Sequence, residues 1–450
     1  MARQINIGFL TTVSGRWPRE LPNRRLTEYR AWLLENLPGI HLCSYEKVVD
    51  SKAEISQAVS LFKQNDVRLI IMLYGAFTGD DVSAAIAEEL KIPLILWAPR
   101  EPELKGGRLL ANAMVALTMN SASLYRLGFK SYPVYGGLES DDAKKRILEI
   151  LKAYDAIYKI KQTTLGLFGY RPTAFYNSAF DEGLIRRTFG VKIEETDLKV
   201  VFDSMQGMDQ SEVDRQKEDL LERFQVKPGL PEEHLDNHVR LYAALKDLMV
   251  AQGYDYAAIK CWPEMGQLKT TPCAVLGRLA DDGYAIACEG DVDVSLSMIA
   301  QNIISGQTNF VTDMIDINEQ ENCLTFWHCG NAAPSLHNRD SSAVMGNHPL
   351  AGQGTSFYAA LKEGPVTISR FCNIDGKYKL FLLRGEATST ELYTPGSMIN
   401  VKVKAPVTDI LYGMITKGVP HHYSIVWCDI ADTMLMIAAI LGLEVISFDS

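Results

Sequence analysis

Four short segments carry side chains able to hold a cation or move a proton, and all four fall in the second half of the chain. Lys260-Cys261-Trp262-Pro263-Glu264 follows the apolar run Tyr256–Ile259, and Cys288-Glu289-Gly290-Asp291 follows Tyr284–Ala287. Trp327-His328-Cys329-Gly330 follows Cys323–Phe326, and Pro420-His421-His422 sits in a Gly/Pro-punctuated turn before Tyr423–Trp427. Carboxylates mixed with imidazoles suit Mn²⁺, Co²⁺, Fe²⁺ or Zn²⁺, whereas an oxygen-only set would suit Mg²⁺ or Ca²⁺. Each segment alone has an ordinary reading, the carboxylate as a helix cap and the histidine pair as solvated. Their joint occurrence at strand ends points to a catalytic metal centre. A structural zinc site would need closely spaced, sulfur-rich ligands, and the 8 cysteines include no CxxC pair. They are expected to be small, buried and reduced.

The elements that must position these residues follow from the apolar pattern. Ile5–Thr11, Val67–Leu73, Ile92–Trp97 and Tyr132–Tyr135 read as strands, with helices at Arg24–Leu37, Lys52–Gln64, Asp80–Leu90, Ala111–Leu127 and Ser140–Tyr158. Strand–helix alternation with near-continuous apolar strands predicts a parallel sheet covered on both faces. Ligands gather at the strand ends of such sheets, which marks Thr11–Glu20 and Leu73–Asp80 as loops of interest. A second α/β unit starts at Thr163–Gly169 and runs through Ser211–Arg223 and Glu232–Ala251 to Tyr256–Cys261 and Tyr284–Glu289. After Gly306, short alternating runs such as Pro365–Asn373, Tyr378–Glu386 and Met398–Val403 favour antiparallel strands. A helix, Asp429–Leu441, and a strand, Glu444–Phe448, close the pattern. The expected fold is therefore α/β. It has two N-terminal Rossmann-like domains with parallel sheets, 1–160 and 161–306, then a C-terminal α+β domain with antiparallel strands, 307–450.

A formal net charge of -10 argues against nucleic acid or an anionic membrane as partner. The opening MARQINIGFL lacks the apolar stretch of a signal peptide, and the longest apolar runs are too short to span a bilayer, so a cytoplasmic enzyme is expected. Neither GxGxxG nor GxxxxGK[ST] occurs, which leaves nucleotide binding without support. His234 and His238 stand four apart on a predicted helix and are read as part of a solvated face.

The order and setting of the four segments resemble the L-fucose isomerase and L-arabinose isomerase superfamily, chiefly over Gly253–Leu336 and Gly418–Phe448. The resemblance implies a divalent cation, usually Mn²⁺, and interconversion of an aldose with its ketose. It matches Glu264 to the first acidic ligand. It matches Gly283–Asp291 to a segment in which one branch uses the Glu and the other the Asp, so Glu289 and Asp291 are rivals, with Asp291 preferred. His328 matches a histidine ligand of the arabinose branch, and His422 the final histidine of both. The chain resembles a shorter, third branch. The resemblance further implies a homo-oligomer, trimer or hexamer, with an N-terminal domain closing a neighbour's site.

Such a centre would isomerise a monosaccharide through an enediolate, with Glu264 and Asp291 (or Glu289) as both ligands and acid/base groups. Arg16, Trp17, Lys260, Trp262 and His421 are expected to contact the sugar, the tryptophans by stacking on its apolar face and the cations by holding a hydroxyl or an anionic substituent, a role also open to Arg370. A pentose, a 6-deoxyhexose and a sulfonated hexose all remain open as substrates. So do two other activities, metal-dependent epimerisation and non-catalytic sugar binding.

Overall fold

The computed structural model describes residues 5–37, 40–102 and 107–448. Residues 1–4, part of the opening segment considered above, lie outside them. The chain divides into two compact units, residues 1–158 and 159–450.

The first unit holds a five-stranded parallel sheet of β1 (Asn6–Thr12), β2 (His41–Val49), β3 (Leu69–Tyr74), β4 (Leu94–Ala98) and β5 (Ser131–Tyr135), in the order β2-β1-β3-β4-β5. Central β3, Leu-Ile-Ile-Met-Leu-Tyr, is buried at every position, as a strand covered on both faces must be. β2 was absent from the sequence reading. It lies at the sheet edge, where Glu46 and Lys47 reach solvent, so its apolar run is broken. Strand order reverses between β1 and β3, and Val13–Trp17, Asp50 and Phe77–Gly79 line a cavity of about 490 Å³ at those strand ends. Arg16 and Trp17 therefore belong to a pocket of this unit.

The second unit holds two sheets. β6 (Thr164–Phe168), β7 (Lys192–Thr196), β8 (Tyr256–Ile259) and β9 (Ile286–Ala287) form a parallel sheet ordered β7-β6-β8-β9. The nine-stranded sheet takes β10 (Asn309–Asn318), β11 (Cys323–His328), β12 (Val344–Asn347), β13 (Thr355–Ala360), β14 (Gly364–Ile374), β15 (Lys377–Thr388), β16 (Ser397–Lys402), β17 (His422–Val426) and β18 (Glu444–Ser447). Antiparallel pairing runs β16-β11-β10-β17-β14-β15 and returns from β15 to β16, closing a barrel. Closure leaves those strands no free edge. The expected fold class is found: parallel sheets first, then a mixed sheet whose strands are mostly antiparallel.

The helix Val292–Ser305 joins the two sheets, packing on β8 and β9 and on β10, β14 and β17. Every residue from Val292 to Gln301 is buried, which a helix held between two layers requires. The helix Glu232–Gln252 corrects one expectation. His234 and His238 are not solvated; they are buried, with His234 Nδ1 2.8 Å from Asn347 Oδ1 and His238 Nδ1 2.8 Å from Thr355 Oγ1. Packing against β12 and β13 overrides the polar look of the segment.

Candidate metal centre

All four chemistry-bearing segments lie in the second unit, at the ends of its strands. The chain leaves β9 through Cys288 and turns at Glu289 and Gly290, whose φ angles are 58° and 60°. The Gly290 N–H donates to the Ile259 carbonyl at 2.9 Å, and a Cβ at Gly290 would collide with the Tyr170 carbonyl. Glycine is needed here on both counts. This turn aims the Glu289 carboxylate at the histidine pair: Oε2 lies 3.3 Å from His422 Nε2 and 3.6 Å from His421 Nε2.

Asp291 does something different. It is the N-cap of Val292–Ser305, its Oδ1 accepting the Val294 N–H at 2.9 Å. Arg370, from β14, donates to Oδ2 at 2.9 Å and to Oδ1 at 3.2 Å, and also to the His422 carbonyl at 2.9 Å. Oδ2 further accepts from His422 Nδ1 at 2.8 Å. Asp291, Arg370 and His422 are all fully buried. Both Asp291 oxygens are thus committed to the protein, and the residue orients His422 from behind.

His328 ends β11, and its ring centroid lies 5.8 Å from that of His422. Asp313, which sequence reasoning missed, pairs directly with His422 across β10 and β17. Its Oδ1 lies 3.7 Å from His422 Nε2 and 3.9 Å from His421 Nε2. Ligand atoms of Glu289, His328 and His422 fall within 4.8 Å of one another, as do those of Asp313, His421 and His422. Glu289 Oε2, Asp313 Oδ1, His328 Nε2 and His422 Nε2 are each buried without a hydrogen-bond partner. Native interiors rarely leave such atoms orphaned. A carboxylate–imidazole set of this kind fits a divalent transition metal.

Glu264 stands outside both groups. It opens the short 3₁₀ helix Glu264–Leu268, its Oε1 is paired with Lys260 Nζ, and its Oε2 is buried without a partner. Trp262 is partly exposed, with the Phe175 ring 5.5 Å away. Phe175 also packs on His421 at 6.0 Å, and Asn177 Nδ2 lies 2.7 Å from His421 Nδ1. The loop after β6 that carries Phe175 and Asn177 had no chemical motif to announce it.

Electrostatics divide these groups. Burial pushes the Glu289 carboxyl up, but the neighbouring His421, His422 and His328 outweigh it and hold the group well below the carboxylate range. Asp291 behaves alike, burial being overcome by Arg370 and His422. Burial works against charge on His422, yet Asp291 and Glu289 prevail and its pKa is pushed up to about 10. His328 is lowered, chiefly by burial. The cysteines are all free, six of them buried.

Residues 181–306 match the L-arabinose isomerase central domain. Sulfoquinovose isomerase of Priestia aryabhattai is 26% identical over 415 residues, spanning 92% of each chain. That of Alkalicoccus urumqiensis is 27% identical over 377 residues, 83% of this chain and 84% of the other. That of Clostridium sp. (strain MSTE9) is 28% identical over 382 residues, 84% and 85%. By class the chain is an aldose–ketose isomerase. These similarities support an L-arabinose/L-fucose isomerase-like superfamily.

Proposed function

We propose that this chain is a divalent-metal-dependent isomerase of a sulfonated hexose, sulfoquinovose being the substrate named by its relatives. The observation that supports metal dependence is the gathering of buried, unpartnered carboxylate oxygens around His422 Nε2, with Glu289 Oε2 at 3.3 Å and Asp313 Oδ1 at 3.7 Å. Mn²⁺ is the cation we favour, with Co²⁺, Fe²⁺ and Zn²⁺ compatible with the same donors. A dication there would draw electron density from the sugar oxygens and make the C2 hydrogen acidic.

In this reading Glu264 takes the proton from C2 and returns it to C1. Its free Oε2 is available for that task, while Lys260 keeps the other oxygen engaged. Asp291 and Arg370 hold the imidazole of His422 in place. Trp262, backed by Phe175, offers an aromatic face to the sugar ring, and His421, tethered by Asn177, offers a hydrogen bond. Arg16 and Trp17 belong to the cavity of the first unit, which we assign to closing a neighbouring subunit's site in a homo-oligomer, trimer or hexamer. We place the enzyme in the cytoplasm; among the described residues no helix is long and apolar enough to cross a membrane.

The test is to strip the protein with a chelator, restore Mn²⁺, and follow sulfoquinovose by NMR. Ketose should form only in the restored sample, and D-glucose should react at least about a hundredfold more slowly in kcat/KM. Full activity in the stripped sample would remove the metal from the reading. An epimer without ketose would replace isomerisation by epimerisation, and binding without turnover would favour a sugar-binding protein.

A further inference from the structure

An anionic sugar needs a cation in its pocket, because a sulfonate taken out of water without a counter-charge is desolvated without compensation. The surroundings of the centre make the need sharper: Glu264, Glu289 and Asp313 all present buried carboxylate oxygens without a hydrogen-bond partner. Two of the basic side chains expected to hold an anionic substituent belong to this unit, and both are already spent. Lys260 is paired with Glu264. Arg370 is fully buried and donates to both oxygens of Asp291 and to the His422 carbonyl.

Arg171 is the basic side chain left over. It stands in the loop after β6, beside the turn that carries Glu289: a Cβ on Gly290 would lie 3.2 Å from Arg171 Cα. Its guanidinium packs on the rings of Tyr170 and Tyr176, with Cζ 5.4 Å from each centroid. Such cation–π contacts fix the head group without neutralising it. Tyr176 lies between Phe175 and Asn177 in the chain, and both of those touch His421. Among the described residues no carboxylate pairs with Arg171; its Nε is buried without a partner, and Nη1 donates only a long bond, 3.4 Å, to the Pro172 carbonyl. Most of its N–H groups are therefore uncommitted. A planar fork of donors steadied by aromatic rings suits the oxygens of a sulfonate, which it can engage two at a time. The same loop sets Phe175 behind Trp262, so the free cation and the support of the sugar-facing ring come from one segment.

We propose that Arg171 binds the sulfonate of the sugar and so determines the preference for an anionic hexose over a neutral one. This rests on the sulfonated-hexose reading above. The experiment compares Mn²⁺-loaded wild type, Arg171→Met and Arg171→Lys on sulfoquinovose and on D-glucose, with circular dichroism to confirm folding. In Arg171→Met the ratio of kcat/KM for sulfoquinovose to that for D-glucose should fall at least about thirtyfold, the loss lying in KM for sulfoquinovose rather than in kcat. Arg171→Lys keeps the charge without the fork, and its ratio should fall about three- to tenfold. A ratio unchanged in Arg171→Met overturns the assignment. So does a fall shared equally by both sugars, since a loop that is merely disturbed treats them alike. A wild type that shows no preference for sulfoquinovose overturns the substrate reading itself, and this assignment with it. Should Arg171→Met fail to fold, Arg171→Lys decides: a ratio equal to that of wild type overturns the assignment.

Discussion

Asp291 Oδ2 accepts the Nδ1 hydrogen of His422 at 2.8 Å while Arg370 holds both Asp291 oxygens, in a part of the protein with no solvent access. Removing one partner of such a buried pair strands the other's charge, which costs about 3–5 kcal/mol. Asp291→Ala is therefore expected to lower the urea unfolding midpoint by that equivalent. Asp291→Asn keeps the shape but weakens the orientation of His422, and should reduce Mn²⁺ affinity about 10–100-fold. Wild-type stability in Asp291→Ala would refute the pairing.

Metal binding should depend steeply on pH. Without metal, the His422 pKa is pushed up to about 10, so the cation must displace a proton from Nε2. Mn²⁺ affinity should rise roughly tenfold per pH unit between about pH 6 and 8, with about one proton released per ion. Calorimetry in buffers of different ionisation enthalpy counts that proton. An affinity independent of pH would show that His422 is already deprotonated.

The stability of the stripped protein should move the opposite way at high pH. His422 titrates higher folded than unfolded, so its contribution is complete below the unfolded value near about 6.5 and is lost as pH rises through about 10. Asp293, raised to about 6 by burial, loses its contribution earlier, as pH rises from about 4 to about 6. Glu289 and Asp291 are held low, so their contribution is present above about 4 and lost as pH falls. Tm of the metal-free chain should therefore peak near about pH 4–5 and decline toward pH 9. A Tm still climbing between pH 6 and 9 would contradict this.

Glu264→Gln should separate proton transfer from metal binding. Loss of a positioned acid/base group lowers kcat by about 10²–10⁴, and Glu264 stands outside both groups of converging ligand atoms. Turnover should fall by that factor while Mn²⁺ affinity changes less than about threefold. Equal losses in both would make Glu264 a ligand.

Gly290→Ala should be poorly tolerated. A side chain at a φ of 60° costs about 1–2 kcal/mol, and its Cβ would strike the Tyr170 carbonyl. A Tm drop of several degrees is expected, with loss of activity as Glu289 is displaced. An alanine variant as stable and active as wild type would show that the turn can relax.

Much was legible in the residue order. Continuous apolar runs such as Leu69–Tyr74 announced parallel strands because burial on both faces demands them. The edge strand His41–Val49 escaped because one side of it faces water. Glu289, His328 and His422 were singled out from their chemistry and their places at strand ends, with Asp291 preferred to Glu289. Asp313 was not, since either of the two aspartates in Asn309–Asn318 resembles any polar residue of a half-exposed strand.

The sequence by itself determined the supply of carboxylates and imidazoles and the strand ends that carry them. Only the tertiary structure decided between Glu289 and Asp291 as the carboxylate facing His422 Nε2. Arg370 lies 79 residues beyond Asp291 and reaches it only when β14 packs on the helix Val292–Ser305. Likewise, Asp313 meets His422 only through the antiparallel register of β10 and β17. Both outcomes depend on where side chains distant in sequence point after packing, and local pattern carries no information about that direction.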